Sequence, residues 1–81
     1  MMLELINRLV DLGRVPDPNL DRASTFLLDG REPARAIGQQ LYDGHDLPGM
    51  LMGYEHVRAI LGGPAARELE LAWDGVGSWL G

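Results

Sequence analysis

Met50-Leu51-Met52-Gly53-Tyr54-Glu55-His56-Val57-Arg58-Ala59-Ile60-Leu61 decides the fold class. Met50, Tyr54, Val57 and Leu61 recur at i, i+4, i+7 and i+11, the spacing that lines one face of an α-helix of about 3.6 residues per turn. Asp46 precedes the stretch as a candidate N-cap, and Pro48 falls in the first turn, where a missing N–H leaves no bond unmade. Downstream, a segment starting at Pro64 places Ala65, Leu69, Ala72 and Trp73 on one helical face, which reaches Val76 if the helix passes Gly75.

Working toward the N-terminus, residues 33–43 predict a helix with Ala34, Ile37 and Leu41 inward. Residues 18–29 predict another, with Asp17 as N-cap and Leu20, Ala23, Phe26, Leu27 and Leu28 facing the core. Residues 2–12 predict the first, whose polar side chains Glu4, Asn7, Arg8 and Asp11 gather in an arc of roughly 100°. Gly13, Gly30, Gly44, Gly62 and Gly75 read as helix stops, and Pro18, Pro33 and Pro64 as starts. No segment alternates β-branched and polar residues as a half-buried strand does. The expected fold is therefore all-α: a compact bundle of four to five short helices joined by tight Gly/Pro-containing loops, in a single domain over residues 1–81.

A chain of 81 residues buries only about 60% of its unfolded surface, so a domain of this size often needs a staple. There is no cysteine, which removes disulfides and thiolate chemistry. Two histidines do not fill a structural zinc site, and no metal or other cofactor is expected. Self-association is the staple that remains.

The net charge is −5, from 12 acidic residues against seven arginines and no lysine. The all-arginine usage matches the coding bias of a GC-rich bacterial genome. Residues 1–40 hold six acids and five arginines, a net of −1, and residues 41–81 hold six acids and two arginines, a net of −4. This acidic balance repels phosphate backbones and disfavours nucleic acid as a partner. No stretch approaches the roughly 20 apolar residues of a membrane span. The N-terminus lacks a basic leader and a cleavage site, so a cytoplasmic protein without a signal peptide is expected.

The chemistry-bearing residues are few. Asp43, His45 and Asp46, with Glu55 and His56 beyond, include donors that a metal could use. No His–His pair stands at the i, i+4 spacing of a helical zinc site, and capping of helix ends explains the same residues. Ser24, Thr25, Ser78, Tyr42 and Tyr54 carry the hydroxyls, none in a strained Gly-x-Ser-x-Gly turn. Gly62-Gly63-Pro64 and Gly75-Val76-Gly77 follow no strand and match no phosphate loop. The sequence thus points away from an enzyme. Arg31 and Arg35 lie four apart near a helix start, with Gln39 and Gln40 beyond, the nearest approach to a nucleic-acid-reading face.

The first helix carries the strongest signal. Met2, Leu3, Leu5, Ile6, Leu9, Val10 and Leu12 cover far more than one face. A helix apolar nearly all round is normally covered on several sides, and a terminal helix has few neighbours in so short a chain. The surplus predicts a two-fold homodimer through this helix, with Leu5, Leu9 and Leu12 in the interface. Trp79, beside Leu80 near the last residue, either folds back onto the core or joins that interface. The expected function is a non-enzymatic, self-associating protein–protein interaction module. The alternatives are a small nucleic-acid-associated regulator using an Arg31/Arg35 face, or a small-ligand or metal-binding protein near His45.

Overall fold

The first helix, α1 (Met2–Gly13), buries Ile6, Leu9, Val10 and Gly13, the side opposite the exposed Glu4, Asn7, Arg8 and Asp11. It belongs to a computed structural model that describes residues 2–15, 24–77 and 79. Among them the secondary structure is entirely helical, with no strand. Two more helices follow: α2 (Arg31–Leu61) and α3 (Gly63–Ala72). The all-α class holds, with three helices among the described residues where four to five are expected.

The difference has physical causes in two places. Residues 24–30 form turns rather than the end of a helix, and residues 16–23, with the expected N-cap Asp17, the inward Leu20 and Ala23 and the first half of the helix expected over 18–29, lie outside the described residues. Here side chains compete with helical hydrogen bonding. Ser24 Oγ accepts from the N–H of Phe26 at 3.2 Å and donates to Glu68 Oε1 at 2.5 Å. Thr25 Oγ1 donates to the carbonyl of Leu12 at 2.6 Å, supplying a partner for the end of α1. Phe26 is driven under Gly13 and is fully buried, whereas Leu27 and Leu28, expected inward, are exposed.

The second difference is that the segments expected over 33–43 and from Asp46 onward form one helical run. Gly44 stays helical, since one glycine costs only about 1 kcal/mol in a helix. The run breaks at Asp46 instead, whose φ of 58° and ψ of −159° are not helical. A straight helix of 31 residues would reach about 46 Å, beyond the longest dimension of the molecule, 36 Å. The break folds residues 47–61 back against residues 31–45. A Cβ placed on Gly49 would lie 2.9 Å from the carbonyl oxygen of Leu41, and one on Gly53 3.2 Å from Leu41 Cδ1.

Gly62, at φ 98°, separates α2 from α3, and its N–H donates to the carbonyl of Arg58 at 3.1 Å. Helix α3 ends at Ala72, short of Gly75, but a turn bonding the N–H of Val76 to Trp73 keeps Val76 buried. The core lies where the three helices meet. Leu9 and Gly53 are neighbours, as are Gly13 and Leu61, so α1 lies along residues 47–61 and progresses in the same direction. Trp73 fills the centre: it is fully buried, its Nε1 donates to the carbonyl of Ala34 at 2.8 Å, and its ring abuts Gly38 and Gly53. The Cα radius of gyration, 11.3 Å, matches the roughly 11.7 Å expected of a compact chain this long.

Candidate interaction surface

The fold leaves α1 covered on one side only. Leu9 is fully enclosed within its own chain and Ile6 and Val10 nearly so, while Met2, Leu5 and Leu12 are half-buried and Leu3 is 60% exposed. The residues expected in an interface therefore separate. Leu9 is part of the core, with no surface of its own for a partner. Leu5 and Leu12, seven residues apart and hence on one face of the helix, keep part of theirs. Glu4, Arg8 and Asp11 border them and are exposed.

Trp79 folds back onto its own chain. Its ring meets Trp73 edge-on at a centroid distance of 5.1 Å and lies 5.7 Å from Tyr54, leaving it half-buried. Such tilted arrangements suit the quadrupoles of the rings. Other large apolar side chains exposed by α2 and α3 are Leu51, Met52, Ile60 and Leu71.

Arg35 has a role that its spacing from Arg31 does not reveal. Its Nη1 donates to the carbonyls of Ala72 at 2.9 Å and Asp74 at 2.7 Å, tying the start of α2 to the end of α3. A cation there also complements the negative end of the helix dipole. Arg31 pairs with neighbouring Glu32 at 3.2 Å, both exposed. Gln39 Nε2 donates to Asp43 Oδ1 one turn on, at 2.8 Å. The four side chains of the expected nucleic-acid face thus divide: Arg31, Arg35 and Gln39 are hydrogen-bonded within the chain, and Gln40 is exposed.

The acid–imidazole residues do not converge. His45 and Asp46 are exposed at the break in α2, while His56 Nδ1 lies 2.9 Å from the carbonyl of Met52 one turn back. Among the described residues no three His, Asp or Glu side chains are grouped so as to hold a metal ion. The hydroxyls of Ser24 and Thr25 order the turn after α1, and the ring of Tyr54 packs on Trp79. The ring of Tyr42 lies against Gly77. Ser78 lies outside the described residues. No described helix is long and apolar enough to cross a membrane. No family model, curated protein or solved structure matches the chain.

Proposed function

We propose that the protein is a non-enzymatic interaction module whose first partner is a second copy of itself, docked on the flank of α1. The observation that carries this reading is the partial exposure of Leu5 and Leu12 on one face of a helix whose opposite side is already in the core. The charges on the same helix favour a like partner. If two copies of α1 pack antiparallel about a two-fold axis near residue 9, Leu5 of each copy meets Leu12 of the other. In that register Arg8 of each copy lies two residues, about 3 Å along the axis, from the position opposite Asp11 of the other, within reach of the long arginine side chain. A two-fold interface must be self-complementary in this way, and opposite charges at its rim set register more than affinity. Leu9 and Trp79 act from within, Leu9 by anchoring α1 to α2 and Trp79 by closing the aromatic cluster.

Charge reversal tests this. Arg8→Glu should weaken the dimer in sedimentation velocity at low salt, and adding Asp11→Arg should restore it. A dimer indifferent to both substitutions would refute the register. The absence of any dimer would refute the reading itself. The nucleic-acid alternative has less support, because Arg35 is engaged by α3 and the chain is acidic.

A further inference from the structure

Asp46 adopts a backbone conformation, φ 58° and ψ −159°, that is essentially confined to glycine. It is the only described residue other than glycine with positive φ. Such a conformation persists only where the surrounding structure imposes it. Here the imposing structure is the packing of the described residues after the break, 47–77 and 79, onto those before it, 2–15 and 24–45. Leu41 packs on Gly53, and Ser24 binds Glu68. Trp73 binds Ala34, and Arg35 holds the carbonyl ends of α3. Each of these contacts joins one half of the chain to the other across Asp46.

A chain divided this way has a second way to satisfy its contacts. If the break opens, residues 47–79 of one copy can pack onto residues 2–45 of another, and every contact just named forms again between copies. Only the break itself changes, and it changes in the direction that releases the conformation forced on Asp46. Exchange of identical elements is a low-cost route to a dimer, and short strained connections invite it. Pro48 opposes the open form. Inside a continuous helix it would remove one hydrogen bond and clash with the carbonyl of Gly44.

We infer that Asp46 is the hinge of a reversible exchange in which residues 47–79 of one copy pack against residues 2–45 of a second copy. This shares with the proposed function only the identity of the partner. The closed monomer and the exchanged dimer have the same core, and the hinge sets the balance between them.

The test is absolute mass by light scattering after size exclusion, on protein incubated concentrated near its unfolding midpoint and then diluted. Wild type, Asp46→Gly, Pro48→Ala and Leu5→Glu are compared, with far-UV circular dichroism confirming that each is helical. Exchange predicts a dimer that returns to monomer slowly, because return requires the halves to separate. Asp46→Gly relaxes the closed form and should lower the dimer association constant about tenfold. Pro48→Ala frees residues 31–61 to run as one helix and should raise it about tenfold or more. Leu5→Glu should leave this slow dimer in place. A dimer that dissociates at once on dilution, is lost in Leu5→Glu and ignores residues 46 and 48 would overturn the exchange while supporting the α1 interface. Monomers throughout would overturn both.

Discussion

Gly38→Ala and Gly44→Ala make the same chemical change in the same helix, and the packing around Trp73 gives them opposite signs. A Cβ on Gly38 would lie 2.8 Å from Trp73 Cε2 and 2.9 Å from Cδ1, closer than side chains tolerate. The indole is rigid and fully buried, and its Nε1 is held by Ala34, so it has no free direction in which to retreat. Overpacking of this kind costs about 1–3 kcal/mol. If the ring shifts far enough to lose the Ala34 carbonyl, a buried N–H goes unpaired for about 1–3 kcal/mol. Against these stands the gain of about 1 kcal/mol from replacing a helical glycine with alanine. The net expectation is a loss of about 2 kcal/mol, or a fall in Tm of roughly 10 °C for a domain this small. Nothing lies within 4 Å of a Cβ on Gly44, so only the helical gain acts there. Its position two residues before the break trims that gain to about 0.5–1 kcal/mol. Urea titration followed by circular dichroism measures both, and tryptophan emission should shift to the red in folded Gly38→Ala alone. Equal or greater stability for Gly38→Ala than for wild type would refute the placement of Trp73 against α2.

Asp46→Gly should raise stability by about 1 kcal/mol, because relief of the backbone exceeds the entropy that glycine adds to the unfolded chain; an unchanged or lowered urea midpoint would count against the strained break. Arg35→Ala should cost about 1 kcal/mol by releasing the carbonyls of Ala72 and Asp74. Amide hydrogen exchange at the end of α3 should then rise before that of α1, and uniform change along the chain would argue against a clamp.

Much of the fold is legible in the sequence because local rules carry it. The end of α1 at Gly13 and the boundary at Gly62 follow from glycine placement, and the stripe from Met50 to Leu61 shows the second half of α2. The interval between Asp43 and Pro48 reads correctly as a break, and it falls at Asp46, the residue expected to head the run that follows. What misreads is Gly44, expected as a helix stop but tolerated inside the helix. Leu27 and Leu28 fit a helical pattern, yet the chain around them is committed to bonds with Leu12 and Glu68, which periodicity does not register.

The candidate surface is half legible. The apolar excess of α1 is plain in its composition, but which part of it is excess depends on the neighbour. Residues 47–61 take Leu9 entirely and leave Leu5 and Leu12 at the margin. Glycines read as punctuation also hide a packing role. Gly38 and Gly53 lie inside α2 because Trp73 needs the room, a requirement set by a side chain 35 and 20 residues further along the chain. The bonds of Arg35 to α3 are long-range in the same sense, so a count of basic residues overstates what is free for another partner.

The measurement that bears most directly on self-association through α1 is absolute mass by light scattering across roughly a hundredfold dilution, on wild type and Leu5→Glu. In protein kept well below its unfolding midpoint, where the two halves of the chain do not separate and exchange at Asp46 does not proceed, association through α1 predicts a wild-type dimer at high concentration that dissociates promptly on dilution, and a Leu5→Glu protein that is helical and monomeric throughout. Under those conditions a wild-type protein that stays monomeric at every concentration, or a dimer that Leu5→Glu leaves intact, would contradict it.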